Sequence, residues 1–128
     1  MEQDRSVRYI QGDVRDSAVV HEAVRETDVI IHLAWSFADD PKTVFADDIQ
    51  GHIHLLDAAS SSGVKKLIYA STATVYGSAL SHPVTEAHPC RIDAARKPLY
   101  ALGKMTAEEL GRLYYREQGL PVVIFRFW

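Results

Sequence analysis

Apolar and polar positions along this chain keep two rhythms in alternation. Four short runs, β-branched or continuously apolar, predict strands: Val7–Gln11 (VRYIQ), Asp28–Leu33 (DVIIHL), Lys65–Ala70 (KKLIYA) and Val122–Phe127 (VVIFRF). DVIIHL and KKLIYA have the unbroken hydrophobicity of strands buried on both faces. Between the runs, apolar residues recur at helical spacing. Ala18–Arg25 (AVVHEAVR) follows Asp16-Ser17, two good N-cap types. Ile49, Ile53, Leu56 and Ala59 mark a second helix between about Thr43 and Ser62, with Gly63 at its C′ position. Pro98 opens a long third helix that ends near Gly119, where Pro121 bars continuation. The Pro- and His-bearing stretch from Ser78 to Pro98 reads as loop. The order β-α-β-α-β-loop-α-β argues for an α/β fold, a parallel sheet with helices on both faces, in one domain covering 1–128.

Bulk properties narrow the function classes. A formal net charge of −3 gives no electrostatic reason to expect a nucleic acid or an anionic membrane as partner. No apolar run approaches the roughly 18 residues of a membrane span, and the charged start Met1–Arg5 lacks the apolar core of a secretory signal. Cys90 is the single cysteine, which fits a reducing, cytoplasmic setting.

Two segments carry chemistry. In Tyr100-Ala101-Leu102-Gly103-Lys104, helical spacing puts the phenol and the ammonium one turn apart on one face. A nearby cation favours the phenolate, which turns a tyrosine into an acid/base usable near neutrality. The same spacing also suits a surface tyrosine shielding a lysine stem. The other segment, Ser71-Thr72-Ala73-Thr74-Val75-Tyr76-Gly77, follows a buried strand, and ligands of open α/β sheets sit at the carboxyl ends of strands. Its hydroxyls are placed either to bond a substrate oxygen or to satisfy loose backbone groups.

Taken together, a strand ending in YASTATVYG, a loop, PLYALGK opening a helix and a strand VVIFRF resemble the extended short-chain dehydrogenase/reductases, the NAD-dependent epimerase/dehydratase family that includes UDP-galactose 4-epimerase. Gly12-Asp13-Val14-Arg15-Asp16, His32-Leu33-Ala34 and Asp48-Ile49-Gln50-Gly51 are similar to further motifs of that family. The resemblance implies a doubly wound Rossmann fold, NAD as cofactor with NADP also admissible, and a nucleotide sugar or another small hydroxy or keto compound as substrate. It leaves room for a homodimer. It assigns Tyr100 as acid/base, Thr72 as the hydroxyl on the reacting oxygen, and Lys104 as the group that lowers the Tyr100 pKa and binds the nicotinamide ribose. Asp13 and Val14 would hold the adenine, Ala34 would line the cofactor groove with Ser71 nearby, and Trp128 would pack on the nicotinamide.

Some expected parts have no counterpart. Only twelve residues precede Asp13, so the glycine-rich fingerprint of the first βαβ unit is absent, as is a substrate domain after Trp128. The four runs therefore correspond to strands 3 to 6 of the 3-2-1-4-5-6 order, and DVIIHL is expected at an exposed edge. Asp48 stands where the family usually has Asn, and Trp35 where a small residue is common. Two other functions stay open: a non-catalytic truncated chain of the same family, and a ketone reductase of the steroid or flavonoid type. His52 and His54 should point to different faces and form no metal pair, and His82 and His88 lack ligand spacing. Asp47-Asp48 and Glu108-Glu109 read as solvated helix faces, and Cys90 as inert.

Overall fold

In the computed structural model, which describes residues 7–128, helix α1 (Ser17–Val24) starts at Asp16, whose carboxylate accepts from the Ala18 and Val19 amides. Strand β1 (Val29–His32) leads to a helical run in three parts: α2 (Pro41–Thr43), a π-helical segment (Val44–Ile49) and α3 (Gln50–Ser61). Gly63 follows with φ +69°, the left-handed turn expected after that helix. Strand β2 (Lys66–Thr72) continues into a 3₁₀ turn (Ala73–Tyr76), and a second 3₁₀ turn (Ile92–Ala94) interrupts the long loop. Helix α4 (Pro98–Gln118) has proline in its first turn and ends at Gly119 in the left-handed region. Strand β3 (Val122–Phe127) closes the chain, with the bounds its pattern predicts.

The three strands form a parallel sheet in the order β1-β2-β3. Register places Ile30, Leu67 and Val122 in one row and His32, Tyr69 and Ile124 in the next, on the face covered by α3 and α4. There Leu56, Ala58, Ala59, Leu67 and Ala107 are wholly buried. Small residues on the inner side of α4 bring it close to the sheet: a Cβ on Gly111 would lie 3.2 Å from Val122. The helix α1 packs on α3.

Two sequence expectations need correction. Val7–Gln11 forms no strand; its Val7, Tyr9 and Ile10 are exposed, and no strand among the described residues offers them a ladder. The sheet, moreover, has helices on one face among the described residues, not on both. Val29, Ile31, Leu33, Phe125 and Phe127 point away from α3 and α4 and are exposed. The unbroken apolar run in β1 thus hides an alternation that only the register reveals. The edge position expected for this strand is observed: within the described residues β1 pairs with β2 alone. No helix among those residues is long and apolar enough to cross a membrane.

Candidate active site

Tyr100 and Lys104 occupy the first turns of α4, and the fold brings them together as their spacing predicts. Lys104 is 4% exposed. Its Nζ donates to the carbonyl of Ala70 at 2.8 Å, near the end of β2. Aromatic rings enclose it: the ammonium lies 4.1 Å from the Trp35 ring centre, 5.0 Å from that of Tyr69 and 5.9 Å from that of Tyr100. Burial pushes the Lys104 ammonium down to about 8, while the negative charge of Asp48 pulls the other way. Tyr100 is half-buried, edge-on to Trp35 and stacked on Phe37 at 5.7 Å. Trp35 thus lies against α4, where a Cβ on Gly103 would come within 2.9 Å of its ring.

Thr72 ends β2 and caps the following 3₁₀ turn. Its Oγ1 accepts from the Thr74 amide at 3.1 Å and donates to Thr74 Oγ1 at 3.0 Å. Gly77 ends that turn at φ +63°, with no space for a side chain: a Cβ would lie 2.3 Å from the Arg91 carbonyl oxygen. Ser71 faces the other way, toward α4, and donates to Glu108 Oε1 at 2.5 Å.

That glutamate corrects a sequence expectation. Glu108 is fully buried, not a solvated helix residue. Arg126 grips it with two bonds, Nε to Oε1 at 2.9 Å and Nη2 to Oε2 at 2.6 Å, and Arg112 adds a third at 3.1 Å. Burial pushes the Glu108 carboxyl up, but the hydrogen bonds from Arg126 and Ser71 and the charges of both arginines outweigh it, leaving it below the ordinary value. The position was readable: Lys104, Glu108 and Gly111 share one helical stripe with Ala101 and Ala107. Asp48 is corrected likewise. It is 6% exposed, and its carboxylate accepts from the Ser36 amide at 2.6 Å and from Ser36 Oγ at 2.8 Å. Asp48 lies four residues after Val44 and four before His52, so helical spacing could have placed it on the buried stripe.

The other candidates fall in two clefts. Asp13, Val14 and Ala34 line a cleft of about 320 Å³ at the carboxyl end of β1, together with Gly12, Arg15, Trp35 and Asp48. Arg15 clasps the Asp13 carboxylate, and its hydrogen bonds hold that group down at about 2. Val14 is fixed from α3, its carbonyl facing His54 Nδ1 at 3.1 Å and its side chain filling the space over Gly51. Trp128 is 90% exposed and lines a separate cleft with Tyr76, Glu86, Arg112 and Arg126. The structure therefore gathers Tyr100 and Lys104 at one point and sets Trp128 on the wall of another cavity.

Beneath Lys104 lies a cluster that sequence reading missed. His32 and His52 stack at 5.1 Å, and Tyr69 lies 4.8 Å from His52. His52 Nε2 meets the Ala107 carbonyl at 3.1 Å, while His32 Nε2, His52 Nδ1 and the Tyr69 hydroxyl have no partner among the described residues. As expected, His52 and His54 point to different faces, His52 toward α4 and His54 toward Val14. Burial, together with the Lys104 charge, pushes His32 down to about 4; burial, with His32 and Lys104 adding to it, pushes His52 down to about 3. Both stay neutral when folded, whereas an unfolded histidine takes up a proton below about pH 6.5. Stability therefore falls as pH drops through that window. His52→Gln should lessen the loss between pH 7 and pH 5 by about 2 kcal/mol, measured by urea unfolding at both values. Equal losses in the two proteins would contradict a buried neutral His52.

The sequence matches the NAD dependent epimerase/dehydratase family over residues 1–128. A dTDP-D-glucose 4,6-dehydratase of Mus musculus is 33% identical over 131 residues, which cover 95% of this chain and 35% of that one. A double mutant of the dTDP-glucose 4,6-dehydratase from Streptomyces venezuelae, solved with NAD and DAU bound, superposes with a TM-score of 0.83 at 32% identity, over 97% of this chain and 39% of that one. UDP-glucose 4-epimerase of Thermus thermophilus, in complex with NAD, gives a TM-score of 0.82 at 29% identity, over 96% and 41%. The chain spans about two fifths of the length of these relatives.

Proposed function

This chain belongs to the NAD dependent epimerase/dehydratase family, and from that premise we propose that it supplies the proton-moving residues of an NAD-dependent enzyme acting on a nucleotide sugar. The observation that carries this reading is the buried Lys104 ammonium 5.9 Å from the Tyr100 ring centre, on one face of α4 beside the strand ends. The named relatives, a dTDP-glucose dehydratase and a UDP-glucose epimerase, support the substrate class.

The residues present fit the adenosine part of a dinucleotide. The cleft at the end of β1 is concave and joins Asp13 and Val14 to Ala34. Asp13 and Val14 would hold the adenine, Ala34 would line the groove and Lys104 would bind ribose hydroxyls, while Ser71, turned to Glu108, and Trp128, on the separate cleft, lie away from it. When bound, NAD supplies the means of accepting and returning a hydride. Tyr100 takes the proton from the sugar hydroxyl at its phenolic oxygen and later gives it back. Lys104 sets a positive charge beside the ring that carries this oxygen. Thr72 Oγ1 exchanges its bond to Thr74 for one to the reacting oxygen. The test is a turnover panel on the full-length gene product, with UDP- and dTDP-hexoses against steroid and flavonoid ketones and with NAD against NADP. Turnover of a nucleotide sugar with NAD is expected. Reduction of the ketones with no nucleotide-sugar turnover would overturn the reading.

A further inference from the structure

Lys104 is the residue assigned to the ribose hydroxyls, yet it is 4% exposed. Its own neighbours take up the ammonium. An ammonium has three N–H groups to give, and one goes to the Ala70 carbonyl at 2.8 Å. Aromatic rings crowd the rest, with centres 4.1 Å away for Trp35, 5.0 Å for Tyr69 and 5.9 Å for Tyr100. At 4.1 Å an indole face attracts a desolvated ammonium, so the enclosure is a favourable state and not a loose fit.

Of the three rings, one differs in its setting. Trp35 lines the cleft that holds Asp13, Val14 and Ala34, whereas Lys104, Tyr69 and Tyr100 do not. The indole therefore has the cleft on one side and the ammonium on the other. Tyr69 belongs to β2 and Tyr100 to α4, but Trp35 stands in the loop between β1 and α2. Its ring reaches so far because α4 has no side chain at Gly103, where a Cβ would lie 2.9 Å from the indole. A small residue at position 35 would leave the ammonium open to the cleft. The backbone next to Trp35 is tied down, Ser36 donating from its amide and hydroxyl to Asp48, so any opening falls to the indole itself. Phe37, two residues on, holds φ +58°, a strained conformation of the kind that gathers at ligand clamps and switch segments.

We propose that Trp35 is a movable cover between the cofactor cleft and Lys104, which must swing off the ammonium before a cofactor ribose can bond it, and which thereby sets the cofactor affinity of this chain. This rests on the reading of Lys104 as the ribose-binding residue. The covered state competes with binding, so the apparent affinity is the intrinsic one reduced by the fraction of molecules that are open.

The test uses the full-length protein, and its first readout needs no cofactor. A brief pulse of acetic anhydride is followed by mass spectrometry of the peptides holding Lys104 and Lys65. Lys65, with a side chain 76% exposed, is the reference. In the wild-type protein Lys104 should react far more slowly than Lys65. Trp35→Ala should speed the labelling of Lys104 about tenfold and tighten NAD about tenfold in calorimetric titration, because the covered state no longer competes. In ¹⁹F NMR of 5-fluorotryptophan, the Trp35 resonance, identified by its loss in Trp35→Phe, should move as NAD is added to the wild-type protein. Equal labelling of Lys104 in the wild-type and Trp35→Ala proteins overturns the proposal. So does an NAD affinity that is unchanged or weaker in Trp35→Ala, since the indole would then be a wall of the site and not its cover. If Trp35→Ala does not fold, a Trp35 resonance indifferent to saturating NAD overturns it. An NAD affinity that Lys104→Met leaves untouched in the Trp35→Ala background would refute the assignment of Lys104 to the cofactor, and the proposal with it, a result on which the labelling pulse does not depend.

Discussion

Replacing Tyr100 by phenylalanine should lower turnover in the full-length enzyme about 10²–10⁴-fold, the range for loss of a general acid/base. The ring stays, so its stacking on Phe37 and its edge contact with Trp35 persist. Only the hydroxyl goes, and affinity for NAD should change little. Lys104→Ala differs in kind. It removes the ammonium beside the phenol and empties a space among Trp35, Tyr69 and the Ala70 carbonyl, so turnover and cofactor affinity should fall together. Steady-state rates and calorimetric NAD titration separate the two cases. A Tyr100→Phe enzyme of normal turnover would remove the phenol from the mechanism.

Glu108→Ala should cost about 3–5 kcal/mol of stability, the usual penalty for removing one partner of a buried ion pair. The large value follows from what is left behind. Arg126, its side chain 15% exposed, would lose both bonds to the carboxylate, and Ser71 its acceptor. Glu108→Gln keeps some of the hydrogen bonding and should cost less. Because the folded carboxyl titrates below its ordinary value, the stability it contributes is present above the ordinary carboxylate pKa and is lost as pH falls through the depressed one. Urea unfolding of the full-length variants checks the magnitude. A loss within about 0.5 kcal/mol, typical of surface substitutions, would mean that Arg126 finds solvent easily and that the pair is not sealed.

Local signals in the sequence were enough for the elements that end in strong stops. Pro98 and Gly119 bound α4, Asp16 starts α1, and Gly63 follows α3, each through backbone chemistry that needs no tertiary partner. Helical spacing alone also brings Tyr100 and Lys104 together. Val7–Gln11 failed because a strand needs a neighbour to share its hydrogen bonds, and β-branched residues alone do not supply one. What Asp48 and Glu108 bond is not legible locally: Ser36 lies twelve residues upstream of one, and Arg126 lies on β3, eighteen residues beyond the other. Adjacent acids look alike in a sequence, yet in each pair one faces in and its neighbour faces out or half out.

The π turn at Val44–Ile49 makes the two ends of its helical run independent in phase. A π turn takes up one residue more than an α turn. Deleting a residue there would restore regular winding and leave the helix beyond it in phase. Downstream, His52, Leu55, Leu56 and Ala59 hold their orientation against the sheet and α4. Upstream, the loop from Ala34 to Asp40 must end where Trp35 and Phe37 reach Tyr100. The wide turn lets loop length and core register vary separately, like a slack joint between two fixed fittings. In chains sharing this architecture, changes in length between β1 and α3 should therefore concentrate at or before Ile49, and the helix after it should keep its spacing.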